Sequence, residues 1–263
     1  MTAVDRARLL RSLHRPGDPL VLVNVWDVAG ARTVASQPGT RAIATASWSI
    51  AASLGVPDGE VLSLTDLLAV VARIATAVEL PVSADLELGY GATPADVRET
   101  IAAAIGAGAV GCNLEDSLPD GSLRPLEDQL ARLRAAREAA DDASLPLVIN
   151  ARTDALVAGG DLDEAISRGR AYRAAGADCV FILGVDELVG VEALVDALEV
   201  VSVLAGPGRP SVTELASAGV ARISIGPGGM GLAYAALGHA AAELTAHGEY
   251  PAELAYRPPF PPR

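Results

Sequence analysis

The chain has 263 residues, 51 % of them hydrophobic but only 3 % aromatic, and a formal net charge of −13. With no surplus of Lys and Arg to neutralise phosphates, it does not read as a nucleic-acid binder, and the same acidity argues against adhesion to anionic membranes. The two cysteines, Cys112 and Cys179, lie in apolar runs and indicate neither a disulfide framework nor a Cys-based zinc site.

Residues 2–14 form an amphipathic helical pattern without the apolar core of a signal peptide, and no apolar run reaches the roughly 20 residues of a membrane span. A cytoplasmic location is therefore expected. Eight strand-like runs follow, at 19–26, 41–47, 81–88, 109–116, 145–154, 178–184, 200–206 and 221–227. Their continuous apolar character is that of parallel strands covered on both faces. Helical patterns separate them, such as "TDLLAVVARIATAV" after the second run and "TPADVRETIAAAIGAG" after the third. Thr93, Asp161 and Ser211 stand where helix N-caps are needed, and glycines follow several helix ends. The alternation predicts an α/β fold, a (β/α)8 TIM barrel, over one domain spanning 1–263, and the length matches the ~250 residues typical of that fold. A doubly wound open sheet would alternate similarly, but no G-x-G-x-x-G follows the first run. The last long helical segment leads into a Pro-rich tail, 250–263, expected to lie over this barrel or a neighbour's.

In such barrels the chemistry sits at the C-terminal strand ends. Polar residues gather there: Asn24, Trp26 and Asp27; Thr45, Ser47 and Trp48; Asp85 and Glu87; Asn113, Glu115 and Asp116; then Asn150, Arg152, Thr153 and Asp154. Within "SADLELGYG", Asp85 and Glu87 are two residues apart, so on a regular strand both face the same way. Two like charges on one face need a cation between them. Asp85, Glu87 and Glu115 come from adjacent strands, with Asp58 on a nearby loop. Carboxylates without His or Cys favour a hard cation, Mg²⁺ or Mn²⁺. Arg152 offers a fork for a substrate carboxylate. Asn24, Trp26, Asp27, Ser47, Trp48 and Asn150 are the remaining candidates for the substrate pocket. A small α-oxo or dianionic acid suits this set, with the metal as Lewis acid for a developing enolate. The same charges also fit a structural ion-pair network, with Arg152 as partner, but their clustering on three neighbouring strand ends favours the metal; the two tryptophans read as packing. "GPGRPS" and "IGPGGMG" read as phosphate loops or as plain turns. His14, His239 and His247 read as surface or packing residues.

The segments "SWSIAASLGVPDGE", "ADLELGYG", "GCNLEDS", "NARTDA" and "AYRAAGADCVFILG" resemble the isocitrate lyase/phosphoenolpyruvate mutase superfamily, in order from Asn24 to about Gly226. Within it the chain looks most similar to the phosphonomutase/2-methylisocitrate lyase-like branch. The resemblance implies a Mg²⁺-dependent enzyme that makes or breaks a C–C or P–C bond beside an α-oxo or α-hydroxy carboxylate. It carries Asp85, Glu87 and Glu115 over as metal-shell residues, Asp58 near the reacting centre and Arg152 onto the substrate carboxylate. Asn24, Asp27 and the backbone at Ser47 and Trp48 would line the carboxylate pocket. It also implies a homo-oligomer, dimer or tetramer, whose last helix swaps between barrels.

Two departures from the family pattern stand out. Glu87 replaces the second Asp of D-x-D-x-G-Y-G. The segment "SLPDGSLRPLEDQ", at 117–129, lacks the Cys, Lys, His and Asn that lyases and mutases use there. Reactions needing only a stabilised enolate meet this objection best: decarboxylation of an oxaloacetate-like acid, or cleavage of 2-methylisocitrate or an alkylmalate with solvent, Tyr90 or a loop group as the acid. A phosphonopyruvate hydrolase or phosphonomutase-like enzyme, and a silent carboxylate-binding barrel, are the alternatives.

Overall fold

The structure, a computed structural model, describes residues 1–252, so all but the start of the Pro-rich 250–263 segment lies outside the described residues. Nine parallel strands form a nearly closed barrel: β1 (Leu20–Leu22), β2 (Asn24–Val25), β3 (Ile43–Thr45), β4 (Val82–Asp85), β5 (Gly111–Glu115), β6 (Val148–Thr153), β7 (Cys179–Ile182), β8 (Val201–Leu204) and β9 (Arg222–Ser224). Each of the eight predicted runs holds a strand, and the first holds two. It breaks at Val23, so that β1 pairs with β9 while β2 pairs with β3. The extra strand is thus a split first stave, and the predicted barrel stands.

Helices clothe this sheet: α1 (Ala3–Ser12), α2 (Val28–Ala35), α3 (Ser47–Ser53), α4 (Leu64–Ala77), α5 (Pro94–Gly106), α6 (Leu126–Asp142), α7 (Leu162–Ala174), α8 (Leu188–Leu198), α9 (Val212–Ser217) and α10 (Gly228–His247). Thr93 and Ser211 form reciprocal capping boxes with Asp96 and Glu214, and the Asp161 carboxylate accepts from the Glu164 amide. Each such cap contributes about 1 kcal/mol. Between sheet and helices the core is aliphatic, with Leu67, Val71, Val97 and Ile101 packed on Ala84 and Leu114. Burying each of the larger side chains contributes about 1.5–3 kcal/mol.

The barrel interior is polar. Arg222, 1 % exposed, reaches from β9 to Ser83 Oγ on β4 and Asn113 Oδ1 on β5, both at 3.2 Å. Those strands are not its sheet neighbours, so these bonds cross the barrel. Below, His14 Nε2 lies 3.4 Å from Arg222 Nη1, while Nδ1 sits 2.8 Å from the Leu10 carbonyl.

α10 departs from the other long helices. Only Met230 is buried on it, while Leu232, Tyr234 and Leu237 are 73, 51 and 64 % exposed. Among the described residues no helix is long and apolar enough to cross a membrane.

Candidate active site

Parallel register sets the site. Asp85 lies beside Asn113, which lies beside Asn150, and Glu115 lies beside Arg152, which lies beside Phe181. Where these strands end, a pocket of about 200 Å³ opens, lined among others by Ser47, Trp48, Asp58, Asp85, Asn113 and Arg152.

Asp85 is held from two sides. One oxygen, Oδ2, accepts from the Ser47 amide at 3.1 Å and its hydroxyl at 3.0 Å. The other, Oδ1, receives only a long bond of 3.4 Å from Asn113 Nδ2. The carboxylate is therefore oriented with acceptor capacity left over. Asp58 faces the same pocket from an exposed loop, and partial desolvation there, then the nearby Asp85 charge, raise its proton affinity above the usual carboxylate range.

Arg152 is gripped by two carboxylates. Its Nε and Nη2 donate to the two oxygens of Asp154 at 2.6 and 2.7 Å, and Nη1 meets Glu115 Oε2 at 2.5 Å. Burial opposes its charge, but Asp154 and Glu115 outweigh that and raise its proton affinity. A guanidinium has five N–H groups, so two remain for a ligand. Its carbon also lies 6.0 Å from the centre of the Phe181 ring. Burial pushes the Glu115 carboxyl up, to about 8, with Arg152 opposing.

Glu87 and Tyr90 correct the sequence expectation. β4 stops at Asp85, and Glu87 takes a left-handed backbone, φ +49°, which breaks the strand alternation that put it beside Asp85. Its carboxylate turns instead to the amides of Gly59 and Glu60, at 2.9 and 2.6 Å, and to the Tyr90 hydroxyl at 2.8 Å. Tyr90 donates that hydroxyl to Glu87 and does not line the pocket; burial and the Glu87 bond raise its proton affinity, so it is poorly placed as the acid. Glu115 is likewise committed to Arg152. Asp85, Glu87 and Glu115 therefore do not close into one donor set, and the described residues hold no group of three such side chains arranged for a metal.

The remaining candidates divide. Asn24 lines the pocket but serves the barrel seam, donating to the Thr45 carbonyl at 2.8 Å and accepting from the Ile225 and Gly226 amides at 3.1 and 3.0 Å. Asp27 caps α2 through the Gly30 amide at 2.6 Å, and Trp26 packs on Tyr234, ring centres 6.2 Å apart; neither lines the pocket. Asn150 sits one layer down, donating to Asn113 Oδ1 at 2.8 Å. The predicted loop 117–129 is shorter than expected. Ser117 bridges to Leu123, and Gln129 already belongs to α6, donating to the Glu115 carbonyl at 3.2 Å.

Two further groups have partners that the sequence does not show. Arg222, in the last strand, is two hydrogen bonds from Asp85 through Asn113. Asp116, a strand-end residue for which the sequence offers a supporting or helix-capping role, is fully buried. It accepts from Thr153, the Asp154 amide and Tyr172 at 2.7, 2.9 and 2.5 Å, and so fixes the strand that presents Arg152. Both are long-range partnerships, invisible to local spacing.

The chain has relatives among known proteins. A protein-family model described as phosphoenolpyruvate phosphomutase matches residues 10–245. The 2-methylisocitrate lyase of Escherichia coli (strain K12) is 35 % identical over 208 residues, 72 % of this chain and 69 % of that protein. An oxaloacetate decarboxylase of Rhodopseudomonas palustris (strain BisB18) is 38 % identical over 163 residues, covering 59 % of this chain and 55 % of the decarboxylase. Among solved structures, a Burkholderia cenocepacia J2315 protein described provisionally as a phosphonomutase superimposes with a TM-score of 0.88 at 44 % identity, covering 94 % of this chain and all of that one.

Proposed function

Because the chain belongs to the phosphoenolpyruvate mutase/isocitrate lyase superfamily, we propose that it is a Mg²⁺- or Mn²⁺-dependent lyase that cleaves a C–C bond of a small α-oxo or α-hydroxy di- or tricarboxylate through an enolate. The observation that carries this reading is one pocket holding both a pre-fixed Arg152 and the carboxylates of Asp58 and Asp85. Such a pocket repels an anionic substrate unless a cation enters with it. The crowding is visible in Asp58, whose proton affinity the Asp85 charge helps to raise. Mg²⁺ binds through one or two carboxylates and keeps several waters, so Asp85, with Asp58 alongside, fits it without a three-residue cluster. When bound, the cation supplies Lewis acidity at the substrate's α-oxygen.

The chain's own groups do the rest. Arg152 presents its two unused N–H groups to a substrate carboxylate, and the Glu115–Asp154 grip keeps the fork from turning. Trp48 and Phe181 supply apolar wall. Asp58, on the loop that faces Asp85 across the pocket, is placed to deliver a proton to the enolate carbon. Decarboxylation of an oxaloacetate-like acid requires only that one delivery, which favours it over cleavages that also need a base. The exposed apolar side chains of α10 support a homo-oligomer in which this helix packs on a neighbouring barrel.

An NMR turnover screen tests the reading. Oxaloacetate, 2-methylisocitrate, alkylmalates and phosphonopyruvate are offered with Mg²⁺ or with EDTA. Pyruvate or succinate should form only with Mg²⁺, and Asp85→Asn should abolish it. Asp58→Asn should lower kcat by about 10²- to 10⁴-fold, the range for loss of a general acid. Phosphate release from phosphonopyruvate would instead favour the C–P reading, which the 44 % identical structural neighbour supports. No turnover, with metal bound, would favour a binding role.

A further inference from the structure

Among the described residues, five outside glycine take left-handed backbone, and three of them, Glu60, Glu87 and Tyr90, meet at one point. Each is bonded to the next. Glu87 accepts from the Glu60 amide at 2.6 Å, Glu60 accepts from the Tyr90 amide at 2.5 Å, and the Tyr90 hydroxyl returns to Glu87 at 2.8 Å. Left-handed backbone at such residues persists only where the surroundings over-determine it, and this closed ring does so. Glycines complete the turn. Gly89, at φ +97°, has no room for a side chain, since a Cβ there would stand 2.7 Å from Leu114 Cδ1. Arg132 braces the same turn through the carbonyls of Leu88 and Gly91.

None of the three ring residues lines the pocket, but Asp58, next to Gly59, does. We infer that Glu60, Glu87 and Tyr90 form a latch that fixes the Asp58 loop to the 86–91 turn, and that Glu87 is a positioning residue of this latch and not a metal donor. Its length is the reason. From the same backbone an Asp would be one methylene short of the Gly59 and Glu60 amides. The Glu that departs from the family's D-x-D pattern is thus the residue the latch requires. The consequence for Asp58 rests on the metal-dependent lyase reading; the latch itself does not.

Glu87→Gln and Glu87→Asp separate the two roles, read by Mn²⁺ titration followed by EPR and by hydrogen exchange of the Gly59 and Glu60 amides. Gln keeps the length and an accepting oxygen but loses the charge; Asp keeps the charge but loses the reach. For the latch, Glu87→Gln should bind Mn²⁺ within threefold of wild type and keep the amides protected, while Glu87→Asp should exchange them at least tenfold faster. Tyr90→Phe should move exchange in the same direction without weakening Mn²⁺ binding. Asp85→Asn serves as the metal control, with Mn²⁺ affinity reduced at least tenfold. If Glu87→Gln weakens Mn²⁺ tenfold while Glu87→Asp preserves both affinity and protection, Glu87 is a metal-shell residue and the inference is overturned. If the wild type binds no Mn²⁺, the metal-dependent reading fails, and the exchange measurements still decide the latch.

Discussion

Arg152 shows how a single residue acts through shape. Its fork spans Glu115 and Asp154 at once, and a lysine ammonium, a point charge on a flexible stem, cannot. Arg152→Lys should therefore lower kcat/KM by at least about a hundredfold and cost stability as well, since one part-buried carboxylate is left unpaired. Steady-state kinetics and thermal unfolding on the same preparation check both; unchanged kcat/KM would mean that charge alone suffices. Arg152 and Asp85 were legible in the sequence because strand position and residue type pointed one way. Glu87 was not. Its identity fits the strand pattern, and only the left-handed backbone redirects it, a conformation the residue type does not announce.

At the scale of elements, the strands and caps were the readable part, since apolar runs and Ser/Thr/Asp caps are local signals. The first stave was less so: its break at Val23 follows from closing a curved sheet, where one strand must serve two neighbours that diverge. α10 is the element whose sequence and burial disagree most. An apolar helix that buries little of itself calls for a partner. The double substitution Leu232→Glu with Leu237→Glu should shift the protein to monomer in light scattering with its circular dichroism retained. An unchanged mass would remove α10 from the interface.

The acidic molecule encloses a buried guanidinium, that of Arg222, inside its barrel. Among the described residues Arg222 has no carboxylate within ion-pair distance, and it faces the His14 ring. Burial, then the charges of Arg222 and Arg11, depress the imidazole to about 3 from its ordinary 6.5. The native state thus keeps His14 neutral where the unfolded chain protonates it. Stability from this group is complete above pH 6.5 and falls as pH drops towards 3, by about 1.4 kcal/mol per unit. His14→Gln should flatten the acid limb, so that the stability difference between wild type and variant shrinks by about 2 kcal/mol from pH 6.5 to 5 in denaturant titrations. A pH-independent difference would show that His14 is not held neutral.

The split stave also has a consequence in time. Leu20 pairs with Arg222, whereas Ile43 onward can pair strand by strand as the chain lengthens. During synthesis the first strand to leave the ribosome therefore has no partner on its β9 side until nearly the whole barrel has emerged. Until then both borders of the sheet stand open, the state in which edge strands recruit the wrong neighbour. Ribosome-stalled chains ending before residue 222 should be cut by protease near residues 14–26, and chains extended past the tunnel beyond 226 should be protected there. What looks in the finished barrel like a one-residue detour at Val23 is, for the nascent chain, the seam that can only be sewn last.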